Sequence, residues 1–301
     1  MTTKHILVSV IFLLLCKNFS IAQESFVDGV NLTTIKAPWT IRILGNDLDI
    51  TNVQAKPNEQ SAYFMMTSES TNLNASVFIE PIEKCKTGEE CRDYVLALGN
   101  PAWGKFQDLS KGKIKDFSYF EFYRPEVQGK PLKILDMYAE FVGQGYWVDL
   151  HLSKVLYKKE DHKLFENAIN SLGFIMKSGQ QDSAFESQTS QAERTTVSWL
   201  SLWDQSKCRE SYNNLSPLTK EDNSEKSWVD YCTKVNTYLG AKKSRTLIAS
   251  AFTRSLPPKT DRPLAIFAYH SNFANRQSFV EIVALLLQKD GTWVVTNYLP
   301  Q

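Results

Sequence analysis

Cysteine is the residue type whose number and spacing carry the clearest chemistry in this chain. Cys16 lies in an apolar N-terminal stretch, and Cys85, Cys91, Cys208 and Cys232 lie beyond it. Four cysteines allow three connectivities. The spacing predicts local pairing, Cys85 with Cys91 and Cys208 with Cys232, because a polar stretch divides the two pairs between different folding units. Gly88 lets the short Cys85–Cys91 loop turn, and Cys208 and Cys232 fall on two predicted helices that pack as a hairpin. Closing a loop of about 25 residues contributes roughly 3–4 kcal/mol in the chain-entropy account. A metal centre is not expected: there is no CxxC, and His151, His162 and His270 show no ligand spacing with the cysteines. No cofactor is expected.

Other reactive patterns are missing. The sequence has no nucleophile elbow, Walker loop, GxGxxG or HExxH. His151 alternates outward on a predicted strand and reads as a solvated or locally hydrogen-bonded side chain. His270, beside Tyr269 and near Asn272, reads the same way. Seven tryptophans raise the thought of carbohydrate stacking. Most sit at core-periodic positions, and Trp103, in a loop, is the best candidate for exposure. The run Lys154–Lys163 mixes lysines with Glu160 and Asp161 and reads as a solvated face.

Composition narrows the partners. Lys and Arg number 34 and Asp and Glu 33, so no broad cationic surface is available to release counterions from nucleic acid, and no nucleic-acid role is expected. Residues Ile6–Leu15 form an apolar run, too short to span a bilayer and suited to a signal segment. Ser20-Ile21-Ala22 supplies small residues for cleavage after Ala22. A lipoprotein anchored through Cys16 is disfavoured, because Leu15 occupies the position where a small residue is wanted. No later segment has the unbroken apolar length of a transmembrane helix. The expected address is periplasmic or secreted, where thiols oxidise.

The elements that position these residues follow from periodicity. Residues 1–22 are read as the leader, 23–177 as a strand-rich α+β domain, 178–190 as a polar linker, and 191–301 as a helical hairpin followed by an antiparallel sheet. In the first domain Trp39–Ile43 alternates as a strand, 62–67 and 75–79 form a hairpin, and a short helix follows Gly88. Strands are expected near 114–124, 132–142 and 146–153. Asp161 starts a helix with Leu164, Phe165, Ala168, Ile169 and Leu172 on one face, stopped by Gly173. In the second domain Ser190 and Glu193 have capping-box spacing. A helix from near Ser224 places Trp228, Cys232, Val235 and Leu239 on one face and ends at Gly240. Strands follow at 244–253, 264–272, 279–288 and 292–299, with Asp290-Gly291 as a hairpin turn. Helices followed by a run of strands predict α+β.

Residues 192–301 resemble a bacterial family of secreted proteins known as domain of unknown function 4019. The resemblance is carried by Trp199-Leu200, Asp204, Trp228, Leu239-Gly240, Ser244-Arg245, Leu256-Pro257, Phe273-Ala-Asn275-Arg276, Glu281-Ile-Val283 and the closing Asp290-Gly-x-Trp293-x-Val295-x-x-Tyr298. Tyr238 and Pro258 depart from the family's usual Pro and Gly. A helical hairpin against a curved sheet also looks like the nuclear-transport-factor-2-like cone, a fold analogy only. Such cones hold a pocket between helix and sheet. If one exists here, Asp204, Tyr269, Glu281, Arg245 and Tyr298 line it, with Asp and Tyr available for acid/base work. The plainer expectation is a cross-strand ion pair between Arg245 and Glu281, with the tyrosines packing the sheet. The first domain resembles small exported modules of the PsbP type through its hairpin, Cys91-Arg-Asp-Tyr94 and the ending Phe165-x-x-Ala168-Ile-x-Ser-Leu172-Gly-Phe174.

With no reactive constellation evident, the expected function is a non-catalytic module of the bacterial envelope that binds an envelope protein or a small ligand. The alternative is a small-molecule enzyme, of isomerase or hydrolase type, with its pocket in the second domain.

Overall fold

A computed structural model describes residues 29–34, 36–44, 48–56, 61–177, 183–253 and 262–300. The expected leader and its cleavage site lie outside the described residues. So does the Leu256-Pro257 pair.

Two seven-stranded antiparallel sheets form the frame. The strands are β1 Val30–Thr34, β2 Trp39–Ile43, β3 Leu48–Lys56, β4 Ser61–Ser68, β5 Leu73–Pro81, β6 Gln107–Ile114 and β7 Phe117–Arg124. They continue as β8 Ile134–Gly143, β9 Tyr146–Lys154, β10 Leu172–Met176, β11 Lys242–Thr253, β12 Leu264–Phe273, β13 Phe279–Leu287 and β14 Trp293–Pro300. The first sheet runs β10-β2-β1-β11-β12-β13-β14 and the second β3-β4-β5-β9-β8-β7-β6. The helices are α1 Gly88–Leu98, α2 His162–Asn170, α3 Ser183–Asp204, α4 Cys208–Asn213, α5 Pro217–Asp222 and α6 Glu225–Leu239.

Period-2 alternation sends each strand's side chains to two different cores. In β12, Leu264, Ile266 and Ala268 join a core shared with the second sheet, while Ala265, Phe267 and Tyr269 face the helices α3–α6. The inter-sheet core takes Leu32 and Ile41 from one sheet and Phe64, Val77, Met137 and Leu150 from the other. On the far face of the second sheet, α1 covers Trp147 through Cys91, Tyr94 and Val95. The architecture is therefore α+β, two antiparallel sheets packed with helices.

One sheet crosses the expected domain boundary. Strands β1, β2 and β10 come from the 23–177 segment, yet β1 pairs with β11, Asn31 opposite Phe252 and Thr34 opposite Ala249. The short, partly polar β1 offers little alternation, so this pairing leaves no local trace in the sequence.

Several local expectations need correcting. The stretch expected as a linker is helical from Ser183 onward, and Ser190 lies inside α3 instead of capping it. Its polar first turns are tied to the sheet by Gln188, whose Oε1 accepts from Trp293 Nε1 at 3.1 Å. The later turns bury Ala192, Thr196, Trp199, Leu200 and Trp203 on one face. Gly173 does not end α2. Ser171 does, and Gly173 lies within β10. Trp103 is buried, not exposed: its indole packs on Phe120, Phe122 and Tyr138 and donates to the Tyr138 hydroxyl at 2.8 Å. Lys154 leaves the solvated face and buries its ammonium against the Thr71 carbonyl.

Other signals appear as read. Ser224 caps α6 through Ser227 N–H, and Gly240 ends it at φ 74°. A Cβ at Gly240 would meet the Asn275 side chain at 2.9 Å in addition to the strained φ. Disulfides join Cys85 to Cys91 and Cys208 to Cys232.

Candidate functional site

The helix-facing side of the first sheet gathers four of the five candidate residues around one guanidinium. Arg245 on β11 donates Nη1 and Nη2 to both oxygens of Asp204, the last residue of α3, at 2.8 and 2.9 Å. It also donates Nε and Nη2 to Glu281 on β13, at 2.6 and 2.8 Å. It does so across β12, whose Ser271 lies opposite Arg245 in register and donates to Glu281 as well. The Tyr298 hydroxyl donates to the other Glu281 oxygen at 2.7 Å. Lys242 lies 3.0 Å from Asp204. Two carboxylates thus face two cations.

The electrostatics follow from this enclosure. Glu281 is 0% exposed and the Arg245 side chain 10%. Burial alone would depress the Arg245 guanidinium, but its hydrogen bonds to Asp204 and Glu281 outweigh it and hold it above its ordinary value. Burial, followed by the Glu281 charge, holds the Tyr298 phenol well above its ordinary value. Every charged group in the network has its counter-charge in place. Such a network is a junction that ties α3 to β11 and β13.

Tyr269, the fifth candidate, sits on β12 opposite Glu281 in register. Its hydroxyl is enclosed and meets no partner among the described residues. Burial, with smaller contributions from the Glu193 and Glu281 charges, raises its phenol. A cavity among the described residues is lined by Tyr298 but by none of Asp204, Arg245, Tyr269 and Glu281.

That cavity is a groove of about 660 Å³ between the sheets. Its floor is Ile266, Ile282 and Ala284 of the first sheet, and one wall is Ile50–Val53 of β3. The other wall is Trp228 and Tyr231 of α6 with Tyr298 of β14. Asn52, Asn223 and Asn297 supply amides, and Asp222 is the one carboxylate among the described lining residues. A concave, mainly apolar site with a few polar groups is what a binding pocket requires. The sequence hid it because its walls come from segments far apart in the chain.

The far face of the second sheet holds two further polar clusters. Asp136, fully enclosed, bonds Arg124 Nε at 2.5 Å and His151 Nε2 at 2.9 Å. The His151 ring stacks on Tyr138 at 4.2 Å between centroids. His151 is thus hydrogen-bonded locally. Nearby, Glu140 and Asp149 face each other across β8 and β9. Glu140 accepts from Trp147 Nε1 at 2.6 Å. Burial raises both carboxyls, Asp149 to about 6, and each carries a second carboxylate's repulsion. His270 has an enclosed Nε2 without a partner among the described residues.

The fold and this site define an α+β protein with two stacked antiparallel sheets, α1 and α3–α6 on their outer faces, α2 packed into the core between the sheets, and an apolar groove between them. Residues 195–298 match the model of a family described as "Protein of unknown function (DUF4019)". The Arg245 junction lies wholly inside that region, the second sheet wholly outside it, and the first sheet joins β11–β14 from within to β1, β2 and β10 from outside.

No curated protein matches the chain. Among solved structures, the chain is similar to cyanobacterial PsbP (CyanoP) from Synechocystis sp. PCC 6803, at 12% identity and a TM-score of 0.35, over 50% of this chain and 94% of that one. It is also similar to a Bacteroides thetaiotaomicron protein, at 10% identity and a TM-score of 0.34, over 83% and 88%. A third is LpqN of Mycobacterium tuberculosis, described as involved in cell envelope biogenesis, at 13% identity and a TM-score of 0.26, over 48% and 91%. No described helix is long and apolar enough to cross a membrane. The two disulfides fit a compartment in which thiols oxidise.

Proposed function

We propose that this chain is a non-catalytic binding module of the bacterial envelope, periplasmic or secreted, that takes its partner or ligand in the groove between the sheets. The observation that carries this reading is the groove's lining. Ile266, Ile282 and Ala284 offer an apolar floor, Trp228, Tyr231 and Tyr298 an aromatic wall, and three asparagines hydrogen-bonding edges. An isomerase or hydrolase would use Asp204 as its base, but Arg245 and Lys242 occupy that carboxylate. The charged network therefore supports a structural role for these residues and leaves binding to the groove.

The test is uptake of an uncharged apolar dye, N-phenyl-1-naphthylamine, by the full chain, followed by fluorescence. Saturable binding is expected. Ala284→Phe, which fills the floor from a half-buried position, is expected to weaken it at least tenfold while the melting curve stays nearly unchanged. Dye uptake that is absent, or unaffected by Ala284→Phe, sinks the reading.

A further inference from the structure

Strands β8 and β9 set Glu140 directly opposite Asp149, and side chains so placed have Cβ atoms about 4.5–5.5 Å apart. Like charges in that position repel. Glu140 is fully enclosed and Asp149 half-buried. The Glu140 Oε2 accepts from the Trp147 indole at 2.6 Å. Its Oε1 and the Asp149 Oδ1 are both enclosed and meet no donor among the described residues. An enclosed carboxylate without a partner costs far more than a neutral acid. A proton on either group removes one charge and supplies the missing donor to the other.

The cations on this face are engaged elsewhere. His151 of β9 and Arg124 of β7 both bond Asp136 of β8. Arg92 of α1 and Lys111 of β6 both pair with Asp93. Lys84, in the segment leading to α1, lies over the Tyr94 ring. His151 attracts Asp149 without bonding it, and Glu80 of β5 repels it. Glu89 and Glu90 open α1 with further negative charge. The remaining neighbours are neutral: Ser118 of β7 opposite Glu140, and Phe78 of β5 opposite Asp149.

The first turn of α1 closes over this pair. A Cβ on Gly88 would fall 2.7 Å from the Glu140 carbonyl oxygen and 3.4 Å from Ser118 Oγ, so glycine is what lets the helix approach. Cys91, Tyr94 and Val95 then pack on Trp147, the residue that bonds Glu140. For Glu140 to reach water as a carboxylate, the start of α1 must lift.

We propose that Glu140 and Asp149 share one proton and that this proton latches α1 onto the second sheet, which makes α1 a pH-sensitive cap. The latch is independent of the groove. Burial, followed by the Asp149 charge, holds the Glu140 carboxyl well above its ordinary value, and burial pushes Asp149 up to about 6. Because both folded values are raised, the stabilisation is complete below the unfolded value of about 4 and is lost as pH climbs through the folded values. Lifting α1 lets Glu140 give its proton to water. From the ordinary carboxylate range up to the upper step of the seated pair, lifting therefore releases one proton, and its equilibrium rises about tenfold per pH unit.

The experiment uses the full chain. At pH 7 ordinary carboxyls are ionised, so the infrared C=O band of an un-ionised carboxylic acid is expected in the wild-type protein. It should vanish in Glu140→Gln, whose amide still accepts from Trp147 and donates to Asp149 with no proton to lose. Asp149→Asn replaces the like charge by a neutral donor, and should move the disappearance of the band to lower pH. Amide exchange over Arg92–Leu98 of α1 is compared with exchange over Ala265–Ala268 of β12. The ratio of wild type to Glu140→Gln at each pH cancels the intrinsic exchange rate. It should rise about a hundredfold at α1 between pH 6 and pH 8 and stay flat at β12. No acid band in the wild-type protein at pH 7 overturns the proposal, and so does a band unmoved by both variants. An α1 ratio that is constant between pH 6 and pH 8 refutes the latch even if the proton is present. If Glu140→Gln does not fold, the Asp149→Asn band and the wild-type rise at α1 over that at β12 decide in its place.

Discussion

Replacing Arg245 by Met should turn a satisfied junction into a buried charge defect. The guanidinium makes four hydrogen bonds of 2.6–2.9 Å to Asp204 and Glu281. After the change Asp204 keeps Lys242 at 3.0 Å, but Glu281, fully enclosed, keeps only the hydroxyls of Tyr298 and Ser271. Removing one partner of a buried pair costs about 3–5 kcal/mol. For a chain of this size each kcal/mol moves the melting temperature by about 2–4 °C, so Tm at pH 7 should fall by roughly 6–20 °C. The stranded carboxylate is left as a buried charge without a counter-charge, and that is the source of the cost. Adding Glu281→Gln removes the charge and should recover half or more of the loss at pH 7. Thermal melts at pH 7 read both. A loss under about 1 kcal/mol at pH 7, within the range of an exposed pair, or a double variant no more stable than Arg245→Met, would refute the reasoning.

Three further outcomes follow from other parts of the molecule. Tyr298→Phe removes one donor to Glu281 and should cost about 1–3 kcal/mol by chemical denaturation, with the apolar dye still bound because the ring remains. Asp149→Asn should stabilise the protein increasingly as pH rises. The Asp149 pKa is pushed up to about 6 by burial, so wild-type stability present below the unfolded value of about 4 is lost as pH climbs through about 6. Melts that differ equally at pH 4 and pH 7 would contradict this. Replacing Cys208 and Cys232 by Ser opens a separation of 24 residues, against 6 for Cys85 and Cys91. In the chain-entropy account the first pair should cost about 3.5 kcal/mol and the second about 2, a ranking that denaturation of the two double variants checks.

Much of the fold was legible where side chains alternate cleanly. Strand β9 buries Val148, Leu150 and Leu152 and leaves Asp149, His151 and Ser153 on its other face, as its pattern requires. The C-terminal hairpins and both ends of α6 were equally plain, because Ser224 and Gly240 do what capping chemistry predicts. What escaped lacked a local signal. Strand β3 reads Leu-Asp-Ile-Thr-Asn-Val-Gln-Ala-Lys, and its bulge breaks the period. The first turns of α3 are polar and hold through Gln188 to Trp293, a contact no window of sequence contains. The cone analogy groups Asp204, Arg245, Tyr269, Glu281 and Tyr298 as the lining of a pocket, and the geometry joins Asp204, Arg245, Glu281 and Tyr298 in one hydrogen-bonded network. Tyr269 shares their sheet without joining their hydrogen bonds. The groove was invisible because β3, α6 and β14 bring its walls from three separate regions.

The interleaving of β1, β2 and β10 with the C-terminal strands sets a timetable for the molecule. Strand β1 cannot find β11 until the last third of the polypeptide has been made, since Asn31 waits for Phe252. Pairings so distant in sequence close slowly, and until they close, β1 and β2 present apolar surface with no lasting cover. A ribosome-bound fragment ending near residue 240 would therefore remain sensitive to protease through its first fifty residues. Releasing β11–β14 would complete the first sheet, and because that sheet carries strands from both halves, the two halves would melt together and not in sequence.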